Sequence, residues 1–370
     1  MTQAHLTCIE PFCGAGGLAL GLRQSGFQLR AAFDLDAEAV RTYQHNLGDG
    51  AFVADAREIR PEELLERAAL GGARLDLLAG GPPCQGFSRQ KRGAHLGDPR
   101  NELVAELGRL ARGLHPRAVL VENVASFGEA RGRAFVEALS EALGDYVLTP
   151  QVVNSADFGL AQTRRRYLLV AIHRDEPGVF QLSPPQAPWR TVGEVLMGLD
   201  EPPERPEDPS PWPNHQRARV TQENIHRFSF VPEGGGWNDI PWEHRLPCHQ
   251  RVSGATSGGW PDVYGRLRWD GQAPTITAGF DSFSRGRYGH PHADRPLTPR
   301  EAARLQGFPD DYVFLGNRAA VRRQIGNAVP PPLGAAVGAA LARVLWGEPA
   351  TIKQNFMVQS EGDTPVIPAG

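Results

Sequence analysis

The sequence predicts a doubly wound α/β fold, in which helices cover both faces of a parallel sheet, with a second, smaller and irregular domain. From Leu6 to about Ile172, short apolar runs alternate with segments of helical period, which is typical of such a sheet. A glycine-rich turn joins the first run to the first helical segment, where open α/β sheets bind ligands. After Ile172 the periodicity fades: proline crowds residues 177–213, and residues 234–260 carry glycine and tryptophan. A chain of 370 residues is also long for one core.

The elements follow one another in a regular order. The predicted strands are Leu6–Phe12, Leu29–Phe33, Ala51–Val53, Leu75–Ala79, Ala118–Val121, Val147–Val152 and Tyr167–Ile172. The predicted helices between them are Leu18–Gln24, Ala37–His45, Pro61–Ala69, Asn101–Leu114 and Arg133–Leu143. Helical pattern returns at Thr298–Leu305 and Pro332–Trp346, which we expect to pack on the first domain. We therefore place a first domain at 1–174, a second at 175–290, a returning segment at 291–348 and a flexible tail at 349–370.

Composition narrows the class of protein. A hydrophobic content of 41% and a charged content of 22% are those of an ordinary globular protein. The net charge of -3 does not indicate nucleic-acid binding, although acidic residues elsewhere can mask a basic cleft. Cys8, Cys13, Cys84 and Cys248 have neither zinc nor C-x-x-C spacing, so we expect no metal, no disulfide and a cytoplasmic location. Apolar runs stay below the roughly 18 residues of a membrane span, and a strand beginning at Leu6 leaves no room for a signal peptide.

The glycine-rich turn indicates a nucleotide-like cofactor. Gly14-x-Gly16-x-x-Ala19 matches a dinucleotide fingerprint, and Asp34 follows Gly14 by 20 residues, where a ribose-binding acid belongs. A plain tight turn is the alternative. The pattern does not separate a nicotinamide cofactor from S-adenosylmethionine, because both present a ribose to that acid. Asp55 follows the third strand and is either an acceptor for an adenine amino group or a helix cap.

A rigid turn presents a cysteine after the fourth strand. The run Leu75–Ala79 ends in Gly80-Gly81-Pro82-Pro83-Cys84. The two prolines restrict the backbone and remove two donors, so the thiol is held at the carboxyl end of a strand, where α/β folds place their chemistry. A buried structural cysteine is the alternative.

Two further strand-end groups are candidates for chemistry. Glu122 closes the strand Ala118–Val121 and, taken alone, is compatible with a solvated loop glutamate. The segment Gln162–Arg166 carries three arginines and is compatible with a solvated basic edge. With a nucleic-acid substrate, arginine's planar fork suits phosphates and base edges.

Taken together, these motifs resemble those of the cytosine carbon-5 DNA methyltransferase family. In order along the chain they are F-C-G-A-G-G, D-L-D, G-G-P-P-C-Q-G-F-S, E-N-V, Q-T-R-R-R, L-T-P-R-E-A-A-R-L-Q-G-F-P-D-D-Y and Q-I-G-N-A-V-P. The resemblance covers about residues 6–172 and 295–345. It implies a Rossmann-like, S-adenosylmethionine-dependent methyltransferase domain, with residues 175–290 as a target recognition domain.

The resemblance also implies catalytic roles. Cys84 matches the nucleophile that adds to carbon-6 of cytosine and so activates carbon-5. Glu122 matches the donor to ring nitrogen-3, and Arg166 matches the contact to the ring carbonyl oxygen, with Arg164 beside it. A base inside a duplex is out of reach, so the target must be flipped out. Residues 86–98 resemble the loop that closes over that base.

Further matches concern the cofactor and the DNA. The matching cofactor residues are Phe12, Gly14, Gly16 and Leu18 around the methionine portion, Asp34 at the ribose, Leu35 and Asp55 at the adenine, and Asn327 and Val329 closing the site. Leu35 departs from the family, which often has an aromatic residue there. Candidate DNA contacts are Arg251, Arg266, Arg268, Arg285 and Arg287, and Thr275–Thr277 resembles a threonine element that precedes target-strand contacts.

Three alternatives accompany the chosen hypothesis, which is methylation of cytosine in double-stranded DNA. The tRNA-methylating branch of the same family usually has an additional cysteine-phenylalanine-threonine element, which is absent here. A dinucleotide-dependent oxidoreductase leaves Cys84 and Glu122 unexplained, and a non-catalytic DNA-binding relative is expected to lose one of them. We expect a monomeric bacterial modification enzyme, which acts alone or with a separately encoded restriction endonuclease.

Overall fold

The computed structural model describes residues 5–83, 103–130, 132–185, 187–205, 207–251 and 262–347. The first part of the chain alternates strands and helices: β1 (Leu6–Pro11), α1 (Gly17–Gln24), β2 (Phe27–Asp34), α2 (Ala37–Leu47), β3 (Ala51–Val53), α3 (Pro61–Ala68), β4 (Leu77–Gly80), α4 (Leu103–Leu114), β5 (Ala118–Val124), α5 (Arg133–Ala142), β6 (Tyr146–Asn154), β7 (Gln162–Thr163) and β8 (Arg165–His173). The second part has short elements and then three helices: α6 (Val192–Leu196), α7 (Gln222–Ser229), α8 (Pro247–Gln250), β9 (Ala273–Pro274), α9 (Pro299–Leu305), α10 (Arg318–Asn327) and α11 (Pro331–Leu345).

A seven-stranded sheet organises the first part, in the order β3-β2-β1-β4-β5-β8-β6. All the predicted strands are present, but the expectation of a purely parallel sheet is wrong at β8. This strand pairs antiparallel with both β5 and β6, whereas β1 to β5 pair in parallel. The reason is the connection from β6 to β8, which is too short for a crossover helix and therefore returns the chain in the opposite direction.

Helices cover both faces of the sheet, as predicted. On one face, α3, α4 and α5 enclose a core that includes Leu64, Leu107 and Leu139. On the other face, α1 and α11 enclose a core that includes Leu22 and Leu341. This double cover is the doubly wound arrangement that the alternating pattern indicated.

The helices α1 and α11 approach each other closely enough to require glycine. A Cβ atom added at Gly21 would lie 2.3 Å from the carbonyl oxygen of Pro331.

The run Arg318–Leu345, which contains α10 and α11, is long and apolar enough to cross a membrane by length and composition alone, with a window of mean hydropathy 1.4. That window is 67% buried inside the fold, and the helix is interrupted between Asn327 and Pro331. The run is therefore accounted for as core helix.

The irregular region has a small core of its own, which contains Phe228, Trp237 and Phe283. Arg266 lies inside it at 4% exposure. Its guanidinium donates to the carbonyl oxygens of Phe228 and Val231 at 3.1 and 2.7 Å. The expectation that Arg266 contacts DNA is therefore wrong, because its donors are used within the protein.

A further core joins the irregular region to the returning segment. It contains Val192 and Ile276 from the irregular region, Ala303 and Ile325 from α9 and α10, and Leu20 from α1. Helix α10 was not predicted, because its sequence has no continuous apolar stripe. The proposed domain boundaries stay a prediction.

Candidate active site

The candidate site lies at the carboxyl ends of the central strands. Strand β1 has β2 on one side and β4 on the other, so the chain order reverses there, which is where open α/β sheets form a binding crevice. Phe12, Asp34 and Gly81 stand at or next to the carboxyl ends of β1, β2 and β4, and Glu122 lies inside β5, two residues before the strand ends at Val124. Cys84 and the loop 86–98 lie outside the described residues.

The glycine-rich turn is tied to the end of β2. Phe12, Gly14 and Gly16 have positive φ angles of 58, 51 and 85°, which suits glycine at the two latter positions. Asp34 Oδ2 accepts the backbone N–H of Gly14 at 2.9 Å, and Oδ1 accepts that of Asp36 at 2.9 Å. Burial raises the pKa of the Asp34 carboxyl, and these two donors oppose the shift. The turn is thereby held tightly over the strand ends.

The segment Asn327–Val329 reaches the same turn from far along the chain. A Cβ atom added at Gly17 would lie 2.3 Å from the carbonyl oxygen of Val329, so only glycine allows this approach. Tyr312 donates its hydroxyl to the carbonyl oxygen of Ala15 in the same turn. The returning segment therefore forms part of the wall around the turn.

Glu10 lies beneath the turn and was not anticipated as part of the site. Its side chain is buried at 2% exposure, and among the described residues Oε2 has no hydrogen-bond partner. Burial, with the nearby Asp34 charge, raises the pKa of the Glu10 carboxyl well above its ordinary value. Glu10 is thus a buried acid under the glycine-rich turn, in surroundings that favour its neutral form.

Leu35 and Asp55 lie side by side at the ends of β2 and β3. Asp34 pairs with Val53 in the sheet, and Ala54 donates its N–H to the carbonyl oxygen of Asp34 at 3.1 Å. The side chain of Leu35 is 66% exposed. An apolar surface and a carboxylate therefore adjoin each other at this edge, and the assignment of both residues to an adenine stays a prediction.

Adjacent strands bring Glu122 and Arg166 together. The Arg166 Nε atom lies 2.9 Å from Glu122 Oε1, with side-chain exposures of 12% and 11%. Among the described residues Oε1 has no hydrogen-bond partner, so this contact is an ion pair. A Cβ atom added at Gly81 would lie 3.3 Å from Glu122 Oε2, so the pair lies under the turn that leads into Cys84.

Arg164 has a different environment from the one expected. It is buried at 2% exposure, and it donates to the carbonyl oxygens of Ile276 at 3.0 Å and Ala328 at 2.9 Å, and twice to that of Gly326 at 3.4 and 3.3 Å. Burial lowers the pKa of its guanidinium. These contacts make Arg164, which lies between β7 and β8, a supporting residue that joins this segment to two distant ones, which differs from the expected base contact beside Arg166.

Other side chains near this junction escaped the sequence analysis. Gln162 accepts the N–H of Ile276 at 2.7 Å and donates to the carbonyl oxygen of Leu305 at 3.0 Å. The Tyr288 hydroxyl lies 2.9 Å from Thr277 Oγ1 and donates to the carbonyl oxygen of Thr275 at 3.0 Å. Gln162 stands in the motif Q-T-R-R-R, but no role was predicted for it, and nothing in the sequence indicated Tyr288.

The fold and the strand-end residues define a class. They combine a nucleotide-type glycine-rich turn, acids at neighbouring strand ends, and a carboxylate–arginine pair beside a proline–cysteine turn. This is the architecture of a Rossmann-like group-transfer enzyme. Within the described residues, no group of three or more histidine, cysteine, aspartate or glutamate side chains could hold a metal ion.

Comparison with known proteins identifies the family. The chain belongs to the C-5 cytosine-specific DNA methylases, whose family model matches residues 6–343. This confirms the predicted family and the enzyme class, DNA (cytosine-5-)-methyltransferase. Membership and the methyltransferase fold imply that S-adenosylmethionine is used.

Individual relatives agree with this assignment. The chain is 35% identical to the type II methylase M.HgiDII of Herpetosiphon aurantiacus, over 92% of this chain and 96% of the relative. It is 33% identical to the type II methyltransferase M1.HphI of Haemophilus parahaemolyticus, over 93% and 88%. The crystal structure of a prophage-encoded Escherichia coli protein assigned as a DNA modification methyltransferase superposes with a TM-score of 0.68 at 26% identity, over 92% of this chain and 99% of that one. These names favour the DNA hypothesis over the tRNA alternative.

Proposed function

We propose that this protein methylates carbon-5 of cytosine in a specific double-stranded DNA sequence, through a covalent bond between Cys84 and carbon-6. The observation that carries the proposal is the Glu122–Arg166 pair, at 2.9 Å, under the turn that leads into Cys84. A carboxyl group and a guanidinium at one strand-end position suit a ring that offers a nitrogen and a carbonyl oxygen side by side.

Cofactor binding is assigned to the strand ends around the glycine-rich turn. Phe12, Gly14, Gly16 and Leu18 surround the methionine portion, Asp34 binds the ribose, Leu35 and Asp55 bind the adenine, and Asn327 and Val329 close the site. The exposed Leu35 beside the Asp55 carboxylate fits a flat purine that carries an amino group. When bound, S-adenosylmethionine supplies an electrophilic methyl group.

The residues of the chain perform the remaining steps. The Cys84 thiolate adds to carbon-6 of the flipped cytosine, and the electron pair of the ring double bond moves towards carbon-5. Glu122 holds a proton at nitrogen-3, while Arg166 stabilises charge on the ring oxygen. After methyl transfer, a base removes the proton from carbon-5 and the Cys84 thiolate leaves.

The substrate and the cellular context follow from the same assignment. Because the net charge is -3, DNA binding must depend on local arginines rather than on the charge of the whole chain. We assign the target recognition role to residues 175–290. A monomer acting in the cytoplasm, alone or with a separately encoded restriction endonuclease, is consistent with the type II relatives.

The test is methyl transfer from labelled S-adenosylmethionine to duplex DNA by the parent protein and by Cys84→Ser. The expected product is labelled 5-methylcytosine, and its formation is expected to fall to background in the variant. Cys248→Ser, at an exposed cysteine of the irregular region, is the matched control and is expected to retain activity. Labelling of total tRNA without labelling of DNA would contradict the proposal, as would full activity of Cys84→Ser.

A further inference from the structure

We propose that Arg57 is a positioning residue for the adenine of the cofactor, and that it fixes the Asp55 carboxylate in the orientation that accepts the adenine amino group. The inference rests on the proposed function, which assigns Asp55 to that group. It concerns a residue that none of the family motifs quoted above contains.

The position of Asp55 is set by the sheet. The hydrogen bond from Ala54 to the end of β2 holds the backbone just before Asp55. The Leu35 side chain, 66% exposed, lies at the same edge. A purine ring held on Leu35 would therefore present its edge towards the end of β3, where Asp55 follows. The hydrogen bond from Ala54 does not itself set the rotation of the Asp55 carboxylate.

Arg57 supplies the missing constraint. Its backbone N–H donates to Asp55 Oδ1 at 3.0 Å. Its Nε donates to Oδ1 at 3.0 Å and to Oδ2 at 3.1 Å, and Nη2 also contacts Oδ2. The guanidinium thus holds both oxygens, which fixes the plane of the carboxylate.

The contacts from Arg57 leave the Asp55 carboxylate able to accept a hydrogen bond from a ligand. An ionised carboxylate has about four lone-pair sites, and three N–H donors of Arg57 (the backbone N–H, Nε and Nη2) contact it, so about one site is left to accept an N–H from a ligand. The hydrogen bonds from Arg57 hold the pKa of the Asp55 carboxyl below its ordinary value, which keeps the group an acceptor only. Such an acceptor favours a 6-amino group and disfavours a 6-oxo group on the purine.

The size of the effect is limited by solvent. The Arg57 side chain is 52% exposed and that of Asp55 17% exposed, and exposed ion pairs contribute little. We therefore expect Arg57→Gln to weaken binding of an adenosine ligand about fivefold, and to leave binding of an inosine ligand unchanged.

The experiment is calorimetric titration of the full chain with S-adenosylhomocysteine and with S-inosylhomocysteine, in which an oxygen replaces the amino group. We expect the wild type to prefer the adenosine form, and both Asp55→Asn and Arg57→Gln to reduce that preference. The double variant should lose no more than Asp55→Asn alone, because Arg57 acts through Asp55. Arg219→Gln, which breaks an exposed pair with Glu207 at 3.5 Å, is the matched control and should bind like the wild type.

The possible outcomes distinguish failure of this inference from failure of the proposed function on which it rests. If the wild type binds neither ligand, the assigned cofactor site is wrong and the inference fails with it. If Asp55→Asn loses the preference while Arg57→Gln keeps it, or binds S-adenosylhomocysteine more tightly, only the role of Arg57 is refuted. Tighter binding would mean that Arg57 competes with the adenine for Asp55.

Discussion

Replacing Arg164 with methionine tests whether this residue supports the fold or contacts the substrate. Its guanidinium is buried at 2% exposure, and its contacts reach the carbonyl oxygens of Ile276, Gly326 and Ala328. Methionine fills much of the same volume but donates no hydrogen bond. The substitution therefore separates packing from hydrogen bonding.

The expected loss of stability follows from the three carbonyl groups that Arg164 contacts. Each buried acceptor that loses its partner costs about 1–3 kcal/mol. Removing a buried guanidinium also recovers part of the cost of taking its charge out of water, which offsets the loss. We expect the free energy of unfolding to fall by about 3 kcal/mol.

The assay is urea denaturation of the wild type, Arg164→Met and Arg165→Met, with methyl transfer measured alongside. Arg165 is the exposed neighbour on β8, and its replacement should change the free energy of unfolding by less than about 0.5 kcal/mol. If Arg164→Met keeps wild-type stability and loses only catalytic rate, our interpretation is refuted and Arg164 belongs with Arg166 at the base.

Three further predictions concern packing, pH and recognition. Gly21→Ala should lower the free energy of unfolding by about 2 kcal/mol or more, because the added Cβ would lie 2.3 Å from a backbone oxygen of α11. The control is Gly144→Ala, where the nearest atom to the added Cβ is 3.8 Å away. It should leave the free energy of unfolding almost unchanged in the same denaturation assay. Burial lowers the pKa of His290 to about 4, so the unfolded chain takes up the proton first as pH falls. The contribution of His290 to the free energy of unfolding should therefore be complete above about pH 6.5 and fall by about 3 kcal/mol in total by about pH 4. If the free energy of unfolding of His290→Asn falls with pH as steeply as that of the wild type, this prediction is wrong. Tyr288→Phe removes the hydroxyl contact to Thr277 at 2.9 Å and should weaken duplex binding, measured by fluorescence anisotropy, about fivefold, whereas unchanged affinity would argue against a recognition role for that threonine.

The pattern of the strands was predictable because burial dictates it. Strands covered on both faces must be almost continuously apolar. The apolar runs Leu75–Ala79 and Ala118–Val121 therefore predicted the strands that the structure has at Leu77–Gly80 and Ala118–Val124. The direction of β8 was not predictable in this way, since an antiparallel strand buried on both faces has the same composition as a parallel one. Helix α10 is largely polar, and the available signal was its cap, Asn317, which accepts the N–H of Ala320 at 3.0 Å.

The candidate site was predictable where its residues are close in sequence or in a motif. The contact between Gly14 and Asp34 follows from the spacing of the fingerprint. The contacts of Arg164 were hidden, because Ala328 lies 164 residues away and no local pattern reports such a distance. Arg266 was hidden for the same reason, because only its contacts to carbonyl oxygens distant in sequence show that its side chain belongs to the core.

The return of α11 to α1 has a consequence for biosynthesis. Tyr312 and Ala15, which meet at the glycine-rich turn, are separated by 297 residues, so the wall around that turn is incomplete while the ribosome is still making the middle of the chain. Contacts of such long sequence separation also form slowly. A nascent or prematurely terminated chain that ends before Val329 would therefore lack part of the site assigned to the cofactor. Completion of the wall around the turn therefore waits until the segment from Tyr312 to Val329 has been synthesised.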